Sequence, residues 1–385
     1  MGLLIINTIF LVACGGGGGS SNVVVPEEKP DVVFNVAFVT SVSGIADLGS
    51  WPDAGGQSGL AAGDAICQAR AVAAGLTGSF RAWLSDQSDD VYCRLHNLTG
   101  KKANNCGLAT LPVEGGPWIR TDGFPFSDSI DQLTTNLKIY SPLRYDEFGT
   151  EVVEGIFFTA TNNGGILYTS GTYTTCLDLT GSGTDNIRAG STESTGLFWS
   201  SNYGVQCGNA YRLACFETGA GSALPAFTST GKKVFVTSAK TDGNIGGLSG
   251  GDAFCQNVAD TAGITGTFKA WLSDSSTNAI DRLTSNGPWV RLDGVKIADD
   301  KTDLIDGRLF TPIDVNEMGN YSAVHPVWTG TDSSGNKLLT TCSDWQSNLD
   351  TEQGTWASAP LANNNWTNQR TEQCNLSNSL YCFED

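Results

Sequence analysis

The sequence predicts an α+β fold, rich in loops and stapled by disulfides, written as two tandem copies of one module. Three observations predict it. A nonapeptide, GSFRAWLSD at Gly78–Asp86, returns as GTFKAWLSD at Gly266–Asp274. Glycine is abundant (47 residues) while charged side chains make up 16% of the chain, a balance that favours turns over long helices. Eleven cysteines are present. Setting Cys14 aside leaves an even number, which suits an exported protein held by cross-links.

The length of 385 residues exceeds what one compact core usually serves and fits two domains. A formal net charge of −18 weighs against phosphate backbones and sulfated polysaccharides, whose contacts need Lys or Arg to neutralise them. Nucleic acid and heparin-like polyanions are therefore not expected as partners.

The opening stretch, MGLLIINTIFLVAC, is an apolar run too short to span a bilayer. Its end, Leu11-Val12-Ala13-Cys14, resembles the lipobox of bacterial lipoprotein signals. The resemblance implies cleavage ahead of Cys14, acylation of that cysteine and a lipid anchor in the membrane. Gly15, in place of an aspartate, implies sorting to the outer membrane of a Gram-negative envelope, on its surface or its periplasmic face. Residues 1-13 are thus read as a signal peptide. Residues 14-32, Gly/Ser-rich and then Pro-bearing, are read as a flexible tether.

The first module is expected over 33-218, a linker over 219-230 and the second module over 231-385. VVFNVAFVTS, β-branched and aromatic, opens the first module as a strand, and VFVTS at Val234–Ser238 answers it. Gly63–Gly75 (GDAICQARAVAAG) is Ala-rich with Gly75 as a helix stop, and Gly251–Gly263 is its counterpart. In the nonapeptides a short strand carries Trp83 and Trp271 inward, as core. GPWIRTDG at Gly116–Gly123 pairs with GPWVRLDG at Gly287–Gly294, and LACFE (Leu213–Glu217) with LYCFE (Leu380–Glu384), as closing strands. Between the AWLSD and GPW blocks the first module carries extra residues, an insertion about 87-112 that holds Cys93 and Cys106. These two are expected to bond to each other. The remaining cysteines fall at equivalent places, Cys67, Cys176, Cys207 and Cys215 against Cys255, Cys342, Cys374 and Cys382. Their pairing is open from the residues alone.

Val327-Trp328-Thr329-Gly330 is similar to the WIGL-type core motif of the C-type-lectin-like fold, with Phe157-Phe158-Thr159-Ala160 in its place in the first module. The AWLSD block, the WTGT block, the C-x-x-W at Cys342–Trp345 and the CFE endings together resemble a family of bacterial lipoproteins of unknown function. Their repeated module is C-type-lectin-like and distantly endostatin-like. The resemblance spans about 34 to 385 and implies the pairs Cys67–Cys215, Cys255–Cys382, Cys176–Cys207 and Cys342–Cys374.

Signals of chemistry are sparse. Two histidines, His96 and His325, exclude a site of several imidazoles. Gly247–Gly251 (GLSGG) matches G-x-S-x-G, but in a Gly-rich turn ahead of the cysteine helix rather than on a strand–elbow–helix. No catalytic residue is assigned, no enzyme is expected, and no cofactor is expected. Calcium is the ion whose oxygen chemistry the loops offer. Its candidates are Asp293, Asp299 and Asp303, beside Asp300 and Asp306, with Asp122, Asp128 and Asp131 in the first module. None of these runs has EF-hand spacing. The E-P-N, Q-P-D and W-N-D tripeptides of sugar-binding C-type lectins are absent, the last replaced by Trp199-Ser200-Ser201 and Trp366-Thr367-Asn368.

Binding is the better expectation. The loop Cys342–Trp366 gathers tryptophans among amides. Trp345 and Trp356 lack an aligned tryptophan in the first module and are the candidate contacts for a glycan or protein ligand. The expected function is that of an envelope-anchored lipoprotein acting as a non-enzymatic binding or adhesion module through its loop surface. The alternatives are a calcium-dependent lectin and a purely structural envelope protein.

Overall fold

The computed structural model describes residues 34–113, 115–227, 229–321 and 326–385. The expected signal peptide, Cys14, the tether and His325 lie outside the described residues. The first half runs β1 (Asn35–Val39), α1 (Gly59–Ala73), β2 (Phe80–Ala82), α2 (Val91–Leu95), β3 (Trp118–Arg120), β4 (Pro125–Ser127), α3 (Ile130–Thr134) and β5 (Ile156–Phe158). A single helical turn at Cys176–Leu179 follows, then β6 (Asn186–Ser191), β7 (Tyr203–Gln206) and β8 (Arg212–Glu217). These strands form one sheet in the order β4-β3-β1-β8-β5-β6-β7, with β2 added to β8.

The second half repeats the series: β9 (Lys232–Val236), α4 (Gly247–Thr261), β10 (Phe268–Ala270), α5 (Ala279–Arg282), β11 (Trp289–Arg291), β12 (Lys296–Ala298) and α6 (Lys301–Leu304). After these come β13 (Pro326–Trp328), a helical turn at Cys342–Trp345, β14 (Gln353–Ser358), β15 (Arg370–Gln373) and β16 (Tyr381–Glu384). Its strands divide into β10-β16-β9-β11-β12 and β13-β14-β15. The divide has one cause. β5 pairs in parallel with β8, Phe157 opposite Arg212, whereas the matching junction of the second half is the bridge Val327–Ser379. The class is mixed α+β, with several sheets and five disulfides.

Alternation along the central strands splits each half into two cores. Phe38 faces α1 and packs with Ile66 and Cys67, while Ala37 and Val39 face Trp83, Trp118 and Trp199. Phe235 and its neighbours Val234 and Val236 divide in the same way. Trp83 lies 4.6 Å from Trp199 and Trp271 5.2 Å from Trp366, centroid to centroid, and all four are buried.

The repeated blocks owe their similarity to one joint. β2 and β10 are edge strands whose outward N–H groups need partners. Asp64 Oδ1 accepts from Ala82 N at 3.0 Å and Gln68 Oε1 from Phe80 N at 2.9 Å. Asp252 and Gln256 do the same for Ala270 and Phe268, at 3.0 and 2.9 Å. Gly63 lets the helix approach, because a Cβ there would meet Leu84 Cδ1 at 2.8 Å. In the AWLSD block, Trp83 Nε1 donates to Ser200 Oγ, and Ser85 Oγ accepts from Val91 N. GDAxCQ and AWLSD are thus two sides of one structural contact. Arg94 on α2 and Arg282 on α5 both donate to the carbonyls of this strand (Ala82 and Leu84; Ala270 and Leu272) and to the helix aspartate. The extra residues of the first half therefore begin after α2.

Disulfides join Cys67–Cys215, Cys93–Cys106, Cys176–Cys207, Cys255–Cys382 and Cys342–Cys374. Two of them close separations of 148 and 127 residues, tying helix to last strand. In the chain-entropy model each contributes about 5 kcal/mol.

Residues 33–385 form one compact unit, and within it the halves meet along a seam. Counted back from Trp199 and Trp366, Glu193, Ser194 and Thr195 correspond to Pro360, Leu361 and Ala362. Thr195 N donates to Pro360 O and Ala362 N to Glu193 O, both at 2.9 Å, around the antiparallel bridge Ser194–Leu361. Each position thus contacts its partner's equivalent, the signature of a two-fold axis. The loops after β4 and β12 keep the relation in their acceptors, though the donors differ. Arg120 Nη1 and Arg291 Nη1 donate to the carbonyls of Pro142 and Pro312, which sets the correspondence of the two loops. Across the seam Arg144 Nη2 donates to Phe310 O (2.7 Å), and Arg291 Nη2 donates to Tyr140 O (2.9 Å), the equivalent carbonyl.

Candidate functional site

The turns at Cys176–Leu179 and Cys342–Trp345 are left-handed along their whole length. The φ values are 53°, 54°, 53° and 65° in the first, and 49°, 52°, 58° and 63° in the second. No glycine is among these residues, and each pays roughly 1–2 kcal/mol for the conformation. Such backbone persists only where its surroundings over-determine it. Here Thr175 Oγ1 accepts from Asp178 N at 3.0 Å and Thr341 Oγ1 from Asp344 N at 3.3 Å. A disulfide holds the first residue of each turn, and the last, Leu179 or Trp345, is buried. The third residue reaches back to the segment after AWLSD. Asp344 accepts from both N and Oγ of Ser275 at 2.7 Å, and Asp178 accepts from Gln87 N at 3.3 Å.

This leaves the second residue of each turn projecting outward. Leu177 is 77% exposed, and Ser343 is exposed with its Oγ donating to Glu352 Oε2 at 2.7 Å. Beside the second turn lies an open depression of about 520 Å³, lined by Ser275, Thr340, Ser343, Asp344, Glu352 and Gln353. Leu339, on its rim, is 98% exposed. Hydroxyls, two carboxylates and one projecting apolar side chain can hydrogen-bond and pack against a ligand.

Trp345 does not belong to this surface. It is buried, its Nε1 donates to Ser273 O at 2.7 Å, and its ring packs 5.9 Å from Trp328. It takes the core position that Leu179 takes in the first half. Trp356 is half-buried on β14, beside the same core.

Most of the calcium candidates already have partners within the fold. Asp293 binds Arg291 through both oxygens, at 3.1 and 2.7 Å, and accepts from the Tyr321 hydroxyl at 2.5 Å. Burial pushes its carboxyl up, but Arg291 and Tyr321 outweigh that and hold it below the usual range. Asp299 pairs with Lys296 at 2.6 Å, Asp303 accepts from Asp299 N at 2.7 Å, and Asp300 caps α6. In the first half Asp122 pairs with Arg120, Asp128 with Lys138, and Asp131 accepts from Tyr92. Among the described residues no three His, Cys, Asp or Glu side chains are placed to hold a metal ion. His96 Nδ1 lies 2.8 Å from Tyr92 O. Ser249 sits in the first turn of α4, not on an elbow after a strand.

The charged groups that stand out line the seam, and they were not among the sequence candidates. Arg291 and Asp314 are fully buried and bonded to each other, and Thr195 Oγ1 donates to Asp314 Oδ2 from the other half. Arg308 reaches Glu193 at 2.7 Å and Glu151 at 3.2 Å, both in the first half. The R-x-D spacing inside both GPW blocks was the available signal, since it places a carboxylate beside each arginine. No family model matches this chain, and no curated protein matches it in sequence.

Proposed function

We propose that this chain is an exported, lipid-anchored envelope protein whose two modules are C-type-lectin-like, and that it binds a partner without catalysing a reaction. The binding surface is the left-handed turn of the second half with the depression beside it. The observation that carries this reading is the strained turn itself, present in both halves and clamped by a disulfide, a threonine and a buried side chain. Strain maintained at a surface marks a site whose shape matters. Five disulfides support an oxidising compartment, and the LVAC stretch supports an anchor at Cys14.

A protein partner fits this surface better than a glycan. Trp345, which would have stacked on a sugar ring, is buried, whereas Leu339 offers an apolar anchor ringed by hydrogen-bonding groups. The test is an array of glycans and matrix proteins probed with the full chain, once in calcium and once in EDTA. The reading expects a protein signal that survives EDTA and falls in Leu339→Ser. A glycan signal that needs calcium, or a protein signal indifferent to Leu339→Ser, would overturn it.

A further inference from the structure

The two-fold relation between the halves fails at one place. By the correspondence that matches Pro142 with Pro312, Arg144 answers to Asp314 and Glu151 to Tyr321. In the second half the Tyr321 ring lies 5.3 Å from the Arg291 guanidinium and 6.1 Å from Tyr140, and it occupies the space between them. The equivalent space in the first half has Glu151 instead, and there a cleft of about 130 Å³ opens across the seam. Arg120, Arg144 and Glu151 line it from one side, and Asp303, Asp306 and Arg308 from the other.

The groups in this cleft are incompletely matched. Arg144 is buried, its side chain 4% exposed. Its Nη2 is satisfied by the carbonyls of Leu309 and Phe310, but Nη1 comes only within 3.5 Å of Glu151, and Nε has no partner among the described residues. Nε of Arg308 is in the same condition. Both Nε atoms are closed to solvent, which leaves the loosely paired Nη1 as the donor that Arg144 can offer to a ligand. On the opposite wall Asp303 stands among other carboxylates. Burial first, then Asp306, Asp299 and Asp300, push its carboxyl up. Burial likewise brings the Arg144 guanidinium down to about 10, with Glu193 opposing and Arg120 and Arg308 adding to the fall. On the first wall Arg144 is only loosely held by Glu151, and on the second Arg308, the cation beside the two aspartates, already bonds Glu151 and Glu193 through Nη2.

We propose that this cleft binds a small zwitterion of the free amino acid class, its carboxylate accepting from Arg144 and Arg308 and its ammonium facing Asp303 and Asp306. The ammonium adds a positive charge beside Asp303 and Asp306. The cleft's volume limits the ligand to a few non-hydrogen atoms and excludes an oligosaccharide. This site is separate from the turn surface and does not depend on what binds there.

Calorimetric titration of the full chain with glycine, L-alanine, L-glutamate and L-lysine tests the proposal, with acetate and methylamine as half-ligands. At least one amino acid should bind saturably at one site per chain, and each half-ligand about tenfold more weakly or less. Asp303→Asn should weaken the amino acid about tenfold and leave acetate unchanged. Glu151→Tyr, which copies the second half's Tyr321 into the first, should abolish binding while circular dichroism stays native. No saturable heat from any amino acid, acetate binding as tightly as glycine, or binding indifferent to Glu151→Tyr would each overturn the proposal.

Discussion

Arg291 donates from Nη2 to the carbonyl oxygen of Tyr140 at 2.9 Å, so a wholly buried guanidinium of one half is completed by the backbone of the other. The same guanidinium bonds Asp293 and Asp314. Buried charge in such a network is tolerated only while every member keeps its partners.

Arg291→Met should therefore lower stability by about 3–5 kcal/mol, because it strands two carboxylates inside the seam. Urea denaturation reads this directly. Arg291→Met/Asp314→Leu should recover part of the loss by removing one of those charges. A loss under about 1 kcal/mol in the single variant would show that water already reaches the network.

Asp314 predicts an unusual pH response. Burial pushes its carboxyl up to about 6, against the opposing pull of Arg291 and the Thr195 hydroxyl, while the unfolded chain keeps the ordinary value near 4. Between those values the folded state binds more protons than the unfolded one. This group's contribution is therefore fully present below about pH 4 and lost as pH rises through about 6. Its size is on the order of 3 kcal/mol. Urea unfolding at pH 4, 5, 6 and 7 should show the difference in stability between the native chain and Asp314→Asn shrinking across that window. A difference that stays flat or grows with pH contradicts the shift.

Trp345→Ala separates core from surface. A buried tryptophan with a satisfied indole should cost about 3–5 kcal/mol when truncated. Leu339→Ser, at a side chain almost wholly in water, should stay within about 0.5 kcal/mol of the native chain. Thermal unfolding of the two variants decides whether Trp345 fills space or merely decorates the loop.

Leu177→Gly should stabilise the protein. Leucine at φ 54° carries a left-handed penalty of roughly 1–2 kcal/mol, and glycine's greater freedom in the unfolded chain costs about 0.5–1 in return. A rise in Tm is the expected reading. A fall would mean that the exposed Leu177 side chain makes contacts worth more than the strain.

Much of the architecture is local chemistry and could be read from residues. Strand alternation, the Ala-rich helices and the even cysteine count all point to a stapled α+β chain before any coordinates. The role of Trp345 could not be read from its lack of an aligned tryptophan. Cys176-Leu177-Asp178-Leu179 and Cys342-Ser343-Asp344-Trp345 share spacing, and the last position is the same core slot filled by a smaller or a larger side chain. The left-handed turns leave little local trace, since no glycine or asparagine stands within them and a single aspartate in each is the residue that tolerates such backbone. Arg144 and Asp314 are harder still. Their meaning depends on two loops of different halves facing each other, and that proximity is a property of the assembled seam.

The seam has a thermodynamic corollary. Many of its bonds run through main chain and charged groups, which bind feebly between separate molecules at cellular dilution. Here the two faces belong to one chain, joined by the short stretch between Glu217 and Lys232. A short covalent connection of this kind sets an effective concentration in the millimolar range. Closure is thereby a first-order event, indifferent to how much protein the cell makes. Polar surfaces too weak to recruit a partner from solution can then stay permanently engaged, leaving specificity rather than affinity as their contribution.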